Sequence, residues 1–139
     1  MSDCDEQCDV GVAIVDDEVS LVKMYEKLFS RRGVHVCFVA HDGIEAVKKF
    51  KECAHKPYVI LMDNRMPMMN GIEATKEILK IDSGAKIIFL SADVYMKDEA
   101  MRAGALIFLK KPAGLKDITD AVELELGKKP PDCKECSGN

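Results

Sequence analysis

Short apolar runs alternate five times with segments of helical periodicity, and this alternation limits the folds open to the chain. The apolar runs lie at 10–15, 34–40, 58–62, 86–90 and 106–109. Each has the length of a buried strand, and the segments between them carry apolar residues three and four positions apart. The helical segments cover 19–29, 44–50, 72–79, 97–103 and 115–126, and we expect Gly33 and Gly104 to stop the first and the fourth. This order predicts an α/β fold, in which right-handed crossovers give a doubly wound parallel sheet with helices on both faces.

The length and charge of the chain bound its domain organisation and its partners. Its 139 residues are enough for one domain with its own core. We assign 10–126 to this domain, 1–9 to an N-terminal tail and 127–139 to a C-terminal tail. The net charge of -4 argues against non-specific nucleic-acid binding. No apolar run approaches the roughly 18 residues of a membrane span. We therefore expect a cytoplasmic protein that neither contacts nucleic acid directly nor inserts into a membrane.

Polar side chains follow four of the predicted strands. They are Asp16 with Asp17, Asp63, Ser91 and Lys111. The carboxyl ends of parallel strands share one edge of the sheet, which is where ligands bind in open α/β sheets. Three carboxylates gathered there need a cation, because like charges raise each other's pKa. Oxygen ligands with room for water and phosphate suit Mg²⁺. A carboxylate nucleophile with Mg²⁺, a lysine and a serine describes phosphoryl transfer to an aspartate.

These residues, in this order, resemble the response-regulator receiver domains, in particular the single-domain regulators of chemotaxis and phosphorelay systems. The matching positions are Asp16-Asp17, Asp63 with Met66-Pro67 and Gly71, Ser91-Ala92, Gly104-Ala105 and Lys111-Pro112. Each piece alone is weak, but together, each after its own strand, they form a specific pattern. The resemblance covers about 10–126. It implies a flavodoxin-like sheet of five parallel strands in the order 2-1-3-4-5 with five helices.

The resemblance implies how the protein takes up and passes on a signal. Asp63 would accept a phosphoryl group from a sensor histidine kinase or a phosphotransfer protein. Lys111 and Ser91 would hold the phosphoryl oxygens, and Ser91 would shift on activation together with Phe108, the aromatic switch position. The protein would promote only its own phosphorylation and dephosphorylation, and would not be an enzyme in any other sense. Because no output domain follows the last helix, we expect signalling through the fourth helix, fifth strand and last helix to a downstream protein.

The resemblance also implies the ligands of the cation. Asp17, Asp63 and the backbone carbonyl of Arg65 would hold Mg²⁺, and Asp16 would act through metal-bound water. Arg65 is larger and more basic than the commonest residue two positions after the acceptor. We expect it to pair with Asp93, to cover the aspartyl phosphate and to slow its hydrolysis.

Simpler interpretations of the same residues remain open at this point. Asp16 and Asp17 could cap the first helix. Lys111 could be a solvated surface lysine, and Phe108 could be a core residue as well as a switch.

A phosphohydrolase with an aspartate nucleophile is a second possible function of the protein, but such an enzyme favours an acid two positions after the nucleophile, where Arg65 stands. A flavin-binding domain is a third, and the acid pair after the first strand argues against it.

The cysteines fall into two groups. Cys37 and Cys53 lie in apolar segments, as small buried hydrophobic residues do. The tail cysteines have spacings found in structural zinc sites, and both tails are expected at the end of the sheet away from the acids. They are Cys4, Cys8, Cys133 and Cys136. A structural Zn²⁺, disulfides and unmodified thiols are the three alternatives.

Two further residue types have less specific interpretations. The histidines show no mutual spacing that indicates a metal site, and we interpret them as structural or surface residues. They are His35, His41 and His55. The methionines around the acceptor have the composition of a methionine-rich binding loop. Met62 is expected in the core, whereas Met68 and Met69 are candidates for exposure.

Overall fold

The computed structural model describes residues 11–54, 56–66, 68–111 and 114–127. Strands and helices alternate without interruption through these residues. The strands are β1 (Gly11–Val15), β2 (His35–Ala40), β3 (Val59–Asp63), β4 (Lys86–Ser91) and β5 (Ile107–Lys110). The helices are α1 (Val19–Arg31), α2 (Gly43–Glu52), α3 (Gly71–Ile81), α4 (Met96–Ala103) and α5 (Leu115–Leu126). All neighbouring strands are parallel and their order is β2-β1-β3-β4-β5, which confirms the predicted topology.

The strand boundaries differ from the predicted ones by a residue at the edge that matters for function. Asp63 is the last residue of β3 and pairs with Leu90, whereas the apolar pattern ends the strand one residue earlier. Ser91 is likewise the last residue of β4 and pairs with Lys110. The ladder of backbone hydrogen bonds extends beyond the apolar run. The sheet therefore fixes the backbone from which the side chains of Asp63 and Ser91 project.

The core consists of two apolar layers, one on each face of the sheet. Residues of α2, α3 and α4 pack with one face, and residues of α1 and α5 pack with the other. In the central strands successive residues belong to opposite layers, as the two-residue period of a strand requires: Ala13 and Val15 on one side, Val12 and Ile14 on the other. Burial on both faces explains why these strands are continuously apolar.

Glycines end two of the helices where the sequence predicts a stop. Gly104, the C-cap of α4, has φ of 115°, and Gly33, just after α1, has φ of 74°. Both values lie in the left-handed region that glycine enters without a steric penalty. No helix among the described residues is long and apolar enough to cross a bilayer.

The cysteine predictions have two outcomes. Cys37 and Cys53 are partly exposed, so their assignment as buried residues is wrong. Cys37 lies on β2, which is an edge strand, and Cys53 is the C-cap of α2. The tail cysteines and the predicted zinc site lie outside the described residues.

Candidate functional site

Asp63 and Lys111 form the centre of a polar site at the carboxyl edge of the sheet. The Asp63 side chain, at the end of β3, is buried, with 5% of the residue exposed. Lys111 follows β5, and its backbone N–H donates to the carbonyl of Ser91 at 2.9 Å, which fixes the start of its side chain. Its Nζ then reaches Asp63 Oδ1 at 2.6 Å. The lysine is therefore a partner of the predicted acceptor and not a solvated surface residue.

The acid pair after β1 completes the cluster. Asp16 is 2% exposed; its Oδ2 lies 3.4 Å from Lys111 Nζ and its Oδ1 accepts from the backbone N–H of Glu18 at 3.0 Å. Asp17 is exposed. Oxygens of Asp16, Asp17 and Asp63 all lie within 4.8 Å of one another. The N-cap of α1 is Glu18, without a side-chain cap, so helix capping does not account for the acid pair.

Burial and like charge make this cluster costly without a cation. Burial raises the pKa of Asp63 to about 6, and the charges of Asp16 and Asp17 act in the same direction against the lowering effect of Lys111. Burial also works to lower the pKa of Lys111, but its bond to Asp63 and the nearby carboxylate charges outweigh this, and its pKa is raised. The lysine thus stays a cation and offsets only part of the acidic charge.

The donor atoms of the cluster fit a magnesium ion. They are carboxylate oxygens from three side chains, one of them solvent-exposed, and a hard cation with retained water prefers such a set. Burial and the charges of the neighbouring acids together outweigh the effect of Lys111 on the pKa of Asp63. Arg65 is exposed in the loop between β3 and α3. Its carbonyl as a further ligand stays a prediction.

Ser91 and Phe108, the predicted switch residues, lie at the end of β4 and on β5. Ser91 is 4% exposed, and its Oγ accepts from the backbone N–H of Asp93 at 3.0 Å. Phe108 lies on β5, half-buried, with its ring 6.1 Å from that of Phe89 and nearly parallel to it. Phe108 also packs against the apolar layer under α2, α3 and α4, so its partly buried ring lies at the border of that layer.

The expected pair between Arg65 and Asp93 is not formed between these two described side chains. Asp93 Oδ1 instead accepts from the backbone N–H of Tyr95 at 3.0 Å and stabilises the turn before α4. Asp93 accounts for this turn, because an aspartate side chain readily bonds the backbone N–H two residues ahead.

The methionines follow their positions in the fold. Met62 is fully buried in β3, and Met66 and Met69 are partly buried against the core. Met68 is 78% exposed and has φ of 70°. Only Met68 therefore offers an exposed methionine surface in this loop.

Two features of the site depend on packing that the sequence does not show. His41 Nδ1 lies 3.0 Å from the backbone oxygen of Asp16, a contact that spacing along the chain cannot indicate. Gly71 begins α3 directly against the acceptor, and a Cβ there would lie 2.5 Å from the carbonyl oxygen of Asp63. The glycine was noted as a motif residue, but its physical reason appears only with the packing. Of the other histidines, His35 is exposed and His55 lies outside the described residues.

Comparison with known proteins decides the family. The sequence matches the response regulator receiver domain family over residues 12–123. The chain belongs to this family. The receiver domain is 43% identical over 113 residues to the chemotaxis protein CheY of Thermotoga maritima, covering 80% of this chain and 92% of that protein. It is 38% identical over 117 residues to CheY of Bacillus subtilis, covering 83% and 96%.

A solved structure shows the same architecture. The receiver domain superimposes on a chain of the CheX–CheY–BeF₃–Mg²⁺ complex of Borrelia burgdorferi with a TM-score of 0.77 and 31% identity, covering 83% of this chain and 87% of that one. The receiver domain is accordingly a phosphoacceptor module of two-component signalling, with an acidic cluster that fits Mg²⁺.

Proposed function

We propose that Asp63 is the phosphoacceptor of this receiver domain. One observation carries the proposal. The Asp63 carboxylate is buried at the carboxyl edge of the sheet, is bonded to Lys111 at 2.6 Å and lies within 4.8 Å of the carboxylates of Asp16 and Asp17. No other group of three metal-ligating side chains occurs among the described residues.

The transfer consists of one bond formed and one broken. A carboxylate oxygen of Asp63 attacks phosphorus, and the bond from phosphorus to the nitrogen of a donor phosphohistidine breaks with its electron pair leaving on that nitrogen. The acceptor changes from a carboxylate of charge -1 to an acyl phosphate of charge near -2. Lys111, already at hydrogen-bond distance from Asp63, pairs with an oxygen of the added group.

Asp17, Asp63 and the carbonyl of Arg65 would hold Mg²⁺, and Asp16 would reach it through bound water. When bound, the ion supplies positive charge that offsets the acceptor and the phosphoryl oxygens. The positions of the described side chains support this division. The Oδ1 and Oδ2 atoms of Asp16 are already engaged by Glu18 and Lys111, whereas the side chain of Asp17 is exposed toward solvent.

Ser91 and Phe108 would convert the new charge into a change of surface. The Ser91 hydroxyl accepts from Asp93 N–H, so its own hydrogen remains to donate to a phosphoryl oxygen. A shift of Ser91 toward the phosphoryl group would change the packing beside β5, where Phe108 lies. The altered face of α4, β5 and α5 would then bind a downstream protein differently.

The proposed partners are a sensor histidine kinase or phosphotransfer protein as donor and a protein as target, in the cytoplasm. The domain would act on no further substrate. The acidic net charge of -4 supports protein contacts over direct nucleic-acid binding.

The proposal is tested by intact-mass measurement after treatment with acetyl phosphate and Mg²⁺. We expect the wild type to gain one phosphoryl group and Asp63→Asn to gain none. Lys116→Ala, which removes an exposed lysine from α5, is the control and should behave as the wild type. An Asp63→Asn variant phosphorylated as fast as the wild type would contradict the assignment.

A further inference from the structure

The turn between β2 and α2, residues 41–42, and the first residue of α2, Gly43, contact both halves of the site. His41 Nδ1 lies 3.0 Å from the carbonyl oxygen of Asp16, in the loop of the acid pair. Two residues later the backbone N–H of Gly43 donates to the carbonyl of Met69 at 3.0 Å, in the loop that follows the acceptor. A Cβ at Gly43 would collide with Met69, so the turn and the acceptor loop are in close contact.

The His41 contact takes the place of one backbone hydrogen bond between the ends of β1 and β2. The backbone N–H of Asp16 donates to the carbonyl of Ala40 at 3.0 Å, as in a regular parallel ladder. In that ladder the carbonyl of Asp16 would next accept from the backbone N–H of Asp42. Asp42 is instead the N-cap of α2, with Oδ1 accepting from Glu45 N–H at 2.8 Å. The imidazole supplies the missing donor at the point where the strand has ended.

The backbone of His41 is itself held by residues of α2. Its backbone N–H donates to Glu45 Oε1 at 2.7 Å, and Glu45 Oε2 pairs with Lys49 at 3.0 Å. Lys49 Nζ also donates to the carbonyl of Val39 in β2 at 2.6 Å. The hydrogen bond from His41 lowers the pKa of Glu45, so this carboxylate stays charged and keeps its partners. A continuous series of hydrogen bonds and one ion pair thus connects Lys49, through Glu45 and His41, to the Asp16 carbonyl.

The peptide bond held by His41 joins Asp16 to Asp17. Among the described residues the Asp17 carboxylate has no hydrogen-bond or ion-pair partner, so its position depends on its backbone. We propose that His41 is a positioning residue for the magnesium site: its Nδ1–H fixes the Asp16–Asp17 peptide plane and so aims the Asp17 carboxylate at the cation. This inference rests on the proposed magnesium site at Asp16, Asp17 and Asp63.

The geometry requires a particular tautomer. A backbone carbonyl only accepts, so Nδ1 must carry a hydrogen. Long-range ¹H–¹⁵N NMR of the metal-free full chain should show the His41 ring protonated at Nδ1. A ring protonated at Nε2 alone would overturn the proposal, whether or not the protein binds metal.

Substitution separates positioning from general stability. Asn places an amide nitrogen as far from Cβ as Nδ1 is, whereas Leu fills similar space without a donor. The Kd for Mg²⁺ is measured by calorimetry with Mg²⁺ alone. We expect this Kd to be about tenfold higher in His41→Leu than in the wild type. His41→Asn should keep a Kd close to the wild-type value. Asp17→Ala sets the scale for loss of a direct ligand.

The control is Phe50→Leu, a change at a fully buried core residue of α2, the helix that follows the turn, which lowers the thermal midpoint without touching Asp16. Its Mg²⁺ affinity should match that of the wild type. Equal weakening in Phe50→Leu and His41→Leu, or an unchanged Kd in His41→Leu, would overturn the positioning role. A wild-type chain that binds no Mg²⁺ would instead contradict the proposed cofactor. The NMR measurement would still test the hydrogen bond from His41 to Asp16, because it uses the metal-free chain.

Discussion

At the scale of single residues, the burial of Asp63 makes the site costly to maintain. A carboxylate removed from water and faced by two others is disfavoured as a charge, and Lys111 compensates only in part. This cost favours binding of positive charge at the acceptor. A site with relaxed, solvated acids would stabilise the fold more and attract a cation less.

The raised pKa of Asp63 makes the stability of the metal-free protein depend on pH. Its folded pKa of about 6 lies above the ordinary value of 3.8, so the folded state holds the proton more tightly than the unfolded state. The free energy of unfolding should therefore fall as pH rises from about 4 to about 6, by roughly 1–3 kcal/mol from this group. Asp63→Asn should remove this fall and be the more stable protein at neutral pH. Urea unfolding at several pH values in EDTA measures it, and a wild type and variant with parallel pH profiles would contradict the electrostatic account.

Arg65 supplies a prediction about the lifetime of the phosphorylated state. Its exposed side chain is not paired with Asp93, so it is available to an aspartyl phosphate two residues away along the chain. We predict that Arg65→Ala speeds hydrolysis about three- to tenfold, equivalent to roughly 1 kcal/mol in the barrier. The rate is measured as loss of the phosphoryl mass after removal of acetyl phosphate. Lys97→Ala, which removes an exposed cation from α4, should leave it unchanged; the idea fails if Arg65→Ala does the same.

At the scale of elements, hydrophobic periodicity and the positions of the glycines predict nearly all of the strands and helices. All ten elements and the glycine stops at Gly33 and Gly104 agree with the structure, and the sheet order agrees with the one that the family resemblance implies. The ends of β3 and β4 were placed too early, because the ladder bonds of Asp63 and Ser91 do not depend on hydrophobicity. The contact of His41 with Asp16 could not be predicted, since it joins residues 25 apart through a side chain and a backbone atom.

The loop between β3 and α3 holds a strained residue that the sequence does not show. Met68 has φ of 70°, a region in which a methionine costs about 1 kcal/mol, and its exposed side chain offers little packing in return. Met68→Asn should raise the free energy of unfolding by about 0.5–1 kcal/mol, because Asn tolerates this conformation. Met69→Asn in the same loop should lower it by about 1–3 kcal/mol, since that side chain packs on the core. Equal effects at the two positions in thermal or urea unfolding would show that backbone strain at Met68 is not the cause.

At the scale of the whole molecule, the fold gathers residues from four strand ends at one edge. The parallel arrangement puts the ends of β1, β3, β4 and β5 on the same side, and the two apolar layers hold them rigidly. Under the proposed function, a charge added at Asp63 would act on distant packing through these closely packed layers. The site could be predicted because each of its residues directly follows or ends a strand. The arrangement of its three carboxylates and the contact of the His41 turn with Asp16 could not be predicted, since both depend on how neighbouring loops pack.

The most direct test of the account is to locate the phosphoryl group chemically. Borohydride reduces an aspartyl phosphate to homoserine, which marks the acceptor permanently. After treatment with acetyl phosphate and Mg²⁺, reduction and peptide mass mapping, the account predicts homoserine at residue 63, and none when Mg²⁺ is replaced by EDTA. Homoserine at Asp16 or Asp17, or a phosphoryl mass gain without homoserine at Asp63, would contradict the assignment of Asp63 as the phosphoacceptor.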